Sequence, residues 1–430
     1  MLSLYVDNFR GFTDTVIDLR DVNFLVGENS TGKTSILCLF SLFQDQTFWF
    51  THDFNTEAVS LGNYDEISLS STSHFRIGYG DTNYRSPFEA RNEGDCRYYL
   101  LEFCNRDNIP SLSSIRVRSP EIDIFAKWDG TDFRYLVKET QAPIPSFCDW
   151  IHESLPSTSS LVLSKVAERV RQRPMLHAFL QIIEEETRTV RPRMSLWTAF
   201  YPHVIDRRLA WIAPVRAKPK RTYDSYKVTF SPEGDHAPYV LKELLSSRRT
   251  TANEADARLR SFGKSSGLFK KIDIHKHGKG KTAPFEIYVQ LGTRRFKIAN
   301  VGYGVAQVLP IIIELLARPE GTWFCIQQPE VHLHPKAQAE LGSTIYVFAN
   351  QNADRFLVET HSDFLIDRFR REMSTRMDTK ASAQLLFFER QNQANKVYPI
   401  EILPSGSYSQ NVPEGFRDFF IKEQLSLLGL

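Results

Sequence analysis

Apolar and polar positions alternate from the first residues: Leu2, Leu4 and Val6 recur with period two, and Val16, Ile17 and Leu19 lead up to Asp21. Period two turns one face of a strand inward, so two short strands joined across Asn8-Phe9-Arg10-Gly11-Phe12 are predicted to open the chain as a hairpin. Val22-Asn23-Phe24-Leu25-Val26 is a short apolar run of buried-strand character. After it come Gly27-Glu28-Asn29-Ser30-Thr31-Gly32-Lys33-Thr34-Ser35 and a helix-like stretch over 36–43. The predicted order is strand, glycine loop, helix.

Between about 45 and 205, aromatic and β-branched alternation around 64–79, 98–103 and 125–137 predicts mostly sheet. From Ser157 to about Met194 the apolar residues fall at helical spacing (Leu161, Val166, Val170, then Leu176, Phe179, Ile182, Ile183), interrupted by Pro174, which predicts a pair of short helices. Residues 211–216 read as a strand ending in a proline turn, 231–235 as a loop, and 238–262 as helix. A hairpin is predicted from 285–291 and 295–298 around Gly292-Thr293. The last third alternates: helix 305–316, strand 323–327, helix 335–350, strand 355–359, helix 362–373, strand 384–389. Such alternation predicts an α/β fold with a parallel or mixed sheet covered by helices. Sustained a/d heptads are missing, so no long coiled coil is expected.

The 430 residues fit two or three structural units at about 150 residues each. With 42% hydrophobic and 24% charged residues the chain reads as soluble and globular, which excludes wholesale disorder and collagen-like repeats. Lys plus Arg is 53 against 51 for Asp plus Glu, so any nucleic-acid contact must come from a local patch rather than a global basic field. Two stretches qualify: Arg216, Lys218, Lys220 and Arg221, and then Lys264, Lys270, Lys271, Lys276, Lys279 and Lys281. Each could meet nucleic-acid phosphates, meet an acidic partner surface, or simply face water. The five cysteines are scattered and never form a CxxC pair, which points away from disulfides and zinc and toward a reducing compartment. The start lacks a signal-peptide pattern, and the longest apolar run, 308–317, is about half the roughly 20 residues a membrane crossing needs. A cytoplasmic protein without membrane contact is expected.

Gly27-x-x-x-x-Gly32-Lys33-Thr34 has the spacing of a Walker A loop. In such a loop backbone N–H groups converge on phosphate oxygens and the following helix N-terminus adds its positive end. The candidate binding residues are therefore Gly27, Asn29, Ser30, Thr31, Gly32, Lys33, Thr34 and Ser35. Lys33 would reach the β and γ phosphates, and the Thr34 hydroxyl would hold Mg²⁺, so ATP and Mg²⁺ are the expected ligands. His332 and His334, two apart beside Pro335, make at most half a metal site.

The second constellation is Phe324-Cys325-Ile326-Gln327-Gln328-Pro329-Glu330-Val331-His332-Leu333-His334-Pro335. Here the chain resembles the ABC-type ATPases of the OLD, RecF and SMC branch, whose Walker B strand ends in acidic residues followed by Pro-Glu and a His-Leu-His-Pro turn. Asn8-Phe9-Arg10 resembles that branch's N-terminal strand, Asn300-Val301-Gly302-Tyr303-Gly304-Val305-Ala306-Gln307 its signature loop, and Glu359-Thr360-His361-Ser362 its histidine switch. The resemblance covers about residues 1–45 and 205–390.

It implies an α/β ABC-ATPase head with a mixed central sheet, an N-terminal antiparallel lobe and a helical and β insertion. The expected boundaries are 1–45 for the Walker A part of the head, 46–205 for the insertion, 206–395 for the part with signature, Walker B and histidine switch, and 396–430 for a C-terminal extension. It also implies two heads meeting head to tail, with Gly302 and Gly304 approaching the γ-phosphate on the partner's Walker A; simple turn glycines before a core helix are the bland alternative. His361 would contact the γ-phosphate or the attacking water, unless it is a structural histidine. Arg10 would lie near the phosphates, with a solvent-facing strand-edge arginine as its alternative.

The chain departs from the family at Gln327, where an acid usually holds Mg²⁺, and at Gln328, where the catalytic carboxylate usually stands. An amide can orient water but cannot accept its proton, and it binds a hard cation less well than a carboxylate. Glu330 is the nearest surviving carboxylate in this motif, so slow turnover is expected, with Gln328, Glu330 and His361 as the catalytic candidates and Thr34 and Gln327 at the metal. The roughly 40 residues after 390 cannot hold a nuclease domain. ATPases similar to this one look like the sensor subunits of anti-phage systems such as Septu, PARIS and the retron-associated ones. An even-numbered homo-oligomer that regulates a separately encoded nuclease is thus the leading expectation, and a RecF-like repair ATPase on duplex DNA, or a nucleotide-binding scaffold without turnover, is the alternative.

Overall fold

The computed structural model describes residues 1–56, 59–69, 72–84, 95–120, 122–128, 132–140, 143–164, 209–224, 229–247, 249–278, 283–376, 378–392, 394–410 and 412–416, with 179, 181 and 183–185 besides. The chain divides into two units. The first is Met1–Arg20, Glu28–Arg207 and Phe388–Val397, and the second is Asp21–Gly27, Arg208–Phe387 and Tyr398–Leu430.

In chain order the opening elements are β1 (Leu2–Asp7), β2 (Thr15–Leu19), β3 (Val22–Gly27), α1 (Lys33–Gln44), α2 (Gln46–Thr51) and α3 (Tyr64–Ile67). Next come β4 (His74–Tyr84), β5 (Asp95–Arg106), β6 (Ile109–Arg118), β7 (Ile122–Trp128), β8 (Phe133–Glu139), α4 (Phe147–His152) and β9 (Val162–Leu163). β1 and β2 form the expected hairpin, with Leu4 opposite Ile17. On its other side β1 pairs antiparallel with β4, Leu4 opposite Tyr79, so the hairpin belongs to an eight-stranded sheet in the order β2-β1-β4-β5-β6-β7-β8-β9. That pairing explains why all six positions of β1 are buried.

Two local signals override the strand reading of this unit. Residues 64–67 form a helical turn because Asn63 and Glu66 make a capping box, the Glu66 carboxylate accepting from the Asn63 N–H at 2.8 Å. Ser146 likewise caps α4 by accepting from the Asp149 N–H at 3.1 Å. Of the helix pair expected over 157–194, residues 158–160 make one 3₁₀ turn and 162–163 a short strand, while 179, 181 and 183–185 are helical. The rest of that stretch lies outside the described residues.

The second unit contains β3 and then β10 (Leu209–Ile212), α5 (Ala237–Leu245), α6 (Arg249–Ser266), β11 (Lys271–Lys276), β12 (Phe285–Leu291), β13 (Arg294–Lys297) and α7 (Tyr303–Ala317). Then come β14 (Trp323–Gln327), α8 (Pro335–Gln351), β15 (Arg355–Glu359), α9 (Asp363–Thr375), β16 (Ala383–Gln391) and β17 (Ala394–Ile402), of which residues 388–391 and 394–397 are counted in the first unit. Six strands run in the order β10-β14-β15-β3-β16-β17, with the pairs β10 and β14, β14 and β15, and β15 and β3 parallel. β3 and β14 are buried throughout, as strands covered on both faces must be, which is why they read as unbroken apolar runs. Phe24 of β3 meets Phe369 of α9 edge to face at 5.2 Å, so the helix layer is fixed on the strand that leads into the glycine loop.

The fold is α/β with mixed sheets, as expected. The longest helix among the described residues, α6, has 18 residues, so no extended coiled coil is present among them. No helix among them is long and apolar enough to cross a membrane.

Candidate nucleotide site

The loop between β3 and α1 has a left-handed backbone at three positions: Gly27 (φ 130°), Ser30 (φ 62°) and Gly32 (φ 91°). Where left-handed residues alternate with right-handed ones, successive N–H groups can converge on an anion. Gly32 admits no side chain, since a Cβ there would lie 2.4 Å from the Phe12 ring and 3.1 Å from Asn395 Nδ2. Glu28, Asn29 and Ser30 are exposed, whereas Thr31 and Lys33 are buried. The Thr31 hydroxyl donates to the Glu28 carbonyl at 2.7 Å, and Lys33 Nζ donates to the same oxygen. Thr34 is exposed and Ser35 half-buried. α1 begins at Lys33 after the N-cap Gly32, with no side-chain cap and no acidic residue in its first turn, so its positive end is not answered by a carboxylate of the helix itself.

Arg10 stands in the same unit, in a turn with left-handed backbone at Asn8, Arg10 and Gly11. Its N–H donates to Ile67 O at 2.7 Å and its Nη2 to Leu61 O at 2.8 Å, while its buried Nε has no partner among the described residues. Asn395 closes this turn: its N–H donates to Gly11 O at 2.8 Å and its Nδ2 to Arg10 O at 2.9 Å. The sequence offers no motif for Asn395, yet the same side chain packs against Gly11 and Gly32.

Gly27, Gly302, Gly304, Gln327, Gln328, Glu330 and His361 belong to the second unit, and Arg10 with Asn29 to Ser35 to the first. In the second unit the ends of β14, β15 and β3 are tied together. The Gln328 N–H donates to Glu359 O at 2.7 Å and the Thr360 N–H to Leu25 O at 3.2 Å, two residues before Gly27. Ligands of open α/β sheets sit beyond such carboxyl ends of parallel strands. Gln327 is buried and its Nε2 donates to Glu359 Oε2 at 3.3 Å. Glu330 accepts from Thr360 Oγ1 at 2.8 Å and from the His361 N–H at 2.7 Å, so its carboxylate holds the turn that carries the exposed His361. Ser362 then caps α9 by accepting from the Leu365 N–H at 3.1 Å, and donates to Gln338 Oε1 at 2.6 Å.

Arg216 departs from its expected place in a basic patch. It is only 2% exposed, and its Nη2 donates to Gln327 O at 2.9 Å and to Gln328 O at 3.3 Å. Its Nε and Nη1 have no partner among the described residues. Burial pushes this guanidinium down to about 10, with Glu330 pulling the other way. The parallel pairing of β10 with β14 brings it to the carbonyls of Gln327 and Gln328, and Lys218, Lys220 and Arg221 beyond it are exposed. On its other side Gln307 Nε2 of α7 donates to Arg216 O at 3.4 Å, so one residue touches both α7 and the end of β14.

Gly302 is the exposed residue before α7, and a Cβ there would meet nothing within 4 Å. Gly304 is different: a Cβ would lie 3.0 Å from His332 O, so its close backbone approach is to the chain's own His332 turn. α7, like α1, starts with neither a side-chain cap nor an acidic residue. His334 caps α8, its Nδ1 accepting from the Lys336 N–H at 3.3 Å, and His332 sits edge-on to Tyr303 at 5.2 Å. No group of three His, Cys, Asp or Glu that could hold a metal is found among the described residues. Lys279 and Lys281 of the second basic stretch lie outside those residues.

Residues 1–123 match a family model described as "AAA ATPase domain", and residues 164–367 match one described as "AAA domain, putative AbiEii toxin, Type IV TA system". No curated protein matches the chain. Among solved structures it is similar to an SMC head bound to the C-terminal winged-helix domain of ScpA, at 10% identity and a TM-score of 0.44 over 93% of this chain and 97% of that one. An SMC head with extended coiled coil from Pyrococcus furiosus gives 10% and 0.43 over 99% and 100%, and the SMC head from Thermotoga maritima 12% and 0.39 over 93% and 98%. Over residues 1–123 and 164–367 the chain is thus similar to AAA-type ATPase domains.

Proposed function

We propose that this chain binds ATP with Mg²⁺ in the 27–35 loop, turns it over slowly, and works in the cytoplasm as an even-numbered homo-oligomer whose nucleotide state regulates a separately encoded nuclease in antiviral defence. The observation that carries the reading is the loop itself. Three left-handed residues lead into a helix whose N-terminus has neither cap nor acid, with a buried lysine at its first position. Lys33 Nζ donates to the loop's own Glu28 carbonyl, which keeps the ammonium within the loop. The exposed and uncapped start of α7 supports the partner's role for Gly302, which needs surface access to a second copy.

Slow turnover is expected from the groups present. Gln327 and Gln328 cannot take a proton from water, and Glu330 already accepts two hydrogen bonds from the 360–361 turn. His361 is exposed on that turn, and Gln328, half-buried with left-handed backbone, is the side chain available to orient water. Bound Mg²⁺ would neutralise phosphate charge, with the Thr34 hydroxyl among its ligands.

Sedimentation velocity tests the assembly. With ATP and Mg²⁺ the wild type should shift to a species of twice the mass or an even multiple, and Lys33→Ala should not; an identical profile for both removes the shared-site reading. The exposed Lys218, Lys220 and Arg221 favour a second reading, a repair-type ATPase on duplex DNA. Salt-dependent duplex binding by the isolated protein at physiological salt would establish it, and no binding without a partner would favour the regulatory scaffold.

A further inference from the structure

We infer that Glu359, on β15, supplies the carboxylate toward the nucleotide's Mg²⁺ that Gln327 on β14 cannot, so that the acid has been transposed by one strand. The inference rests on the proposed ATP site and concerns its metal side only. In the sheet β15 lies between β14 and β3, the strand that leads into the Walker loop. Gln327 and Glu359 are directly paired across β14 and β15, at the last position of each strand, and Glu359 is paired with Leu25 across β15 and β3. Directly opposite residues on paired strands project to the same face, and the 3.3 Å bond from Gln327 Nε2 to Glu359 Oε2 shows the two side chains in contact. A carboxylate at 359 thus occupies the same strand-end position as one at 327, one strand nearer to Gly27.

The amide at 327 is then an adaptation to that carboxylate. Two acids in contact at this pair would place two negative charges side by side, which repel. With Gln327 the pair keeps a single negative charge, and the amide N–H orients it. Glu359 is 5% exposed. Mg²⁺ sites at nucleotides are built from one or two carboxylates together with phosphate oxygens and water, so one carboxylate fits the requirement.

The test measures affinity for a fluorescent ATP analogue in Mg²⁺ and in EDTA, with Mn²⁺ electron paramagnetic resonance as a second readout. The wild type should bind more tightly with Mg²⁺. Glu359→Gln should keep the EDTA affinity but lose the metal-dependent gain by about tenfold or more, with loss of the bound Mn²⁺ signal. The exchange Glu359→Gln with Gln327→Glu keeps the charge count, which makes it the more secure variant should the single change fail to fold, and it should restore the gain. An unchanged gain in Glu359→Gln, or an exchange variant that binds in EDTA yet shows none, overturns the inference while leaving the ATP site intact. Absence of any nucleotide binding by the wild type overturns both.

Discussion

His52 is fully buried among Phe48, whose ring lies 6.1 Å away, and Phe103 at 5.9 Å, and its Nε2 has no partner among the described residues. Burial pushes the imidazole down to about 4 from an ordinary 6.5, because the charged form loses its hydration. Below pH 6.5 the unfolded chain therefore takes up a proton that the folded chain refuses, and stability is lost as pH falls toward 4. Between pH 6.5 and about 5 this one group should cost about 2 kcal/mol. Denaturant titrations at the two pH values should show that loss in the wild type and a smaller one in His52→Asn, since asparagine tolerates the left-handed backbone at 52 without titrating. An equal loss in both assigns the pH dependence elsewhere. At this scale the sequence was partly legible. Gly27, Gly32 and Lys33 announce themselves by spacing, but Arg216 read as a patch residue, because a sequence does not show that β10 runs beside β14 and carries Arg216 into the interior. Glu359 was hidden inside a motif defined by its histidine; the available signal was an acid at the end of an otherwise apolar strand.

Elements were read best where burial is two-sided. Residues 323–327 and 355–359 are strands to the residue, because a parallel strand covered on both faces is a closed apolar run with polar or proline neighbours. β17 escaped notice for the opposite reason: it is the edge strand of its sheet, carries Pro399, and exposes Lys396, Pro399 and Glu401, so its pattern is mixed. Helix packing contributes constraints that periodicity does not show. In α8 a Cβ on Gly342 would lie 2.2 Å from Leu365 O and 3.1 Å from the Phe369 N of α9. Gly342→Ala must push α9 away from α8 and with it Phe369 from Phe24 under the Walker strand. Although alanine is the better helix former, the exchange should destabilise by about 1–3 kcal/mol. An unchanged or raised melting temperature would show that the two helices separate at no cost.

At the scale of the whole molecule, the α/β class was legible from the alternation of strands and helices, whereas the continuity of the opening hairpin with β4 to β9 was not, because pairing partners far apart in sequence leave no local trace. The residues proposed for the nucleotide site come from both units. Arg10 and most of the Walker loop fall in one unit, while Gly27, the glutamine-bearing strand end, Glu359 and His361 fall in the other. The most direct measurement is isothermal titration of ATP into the wild type and into Lys33→Ala in the presence of Mg²⁺. The account predicts saturable binding to the wild type and an affinity about 10- to 100-fold weaker in the variant, the loss expected for one charged hydrogen bond to phosphate. Equal affinities, or no heat of binding in the wild type at saturating ATP, would contradict it.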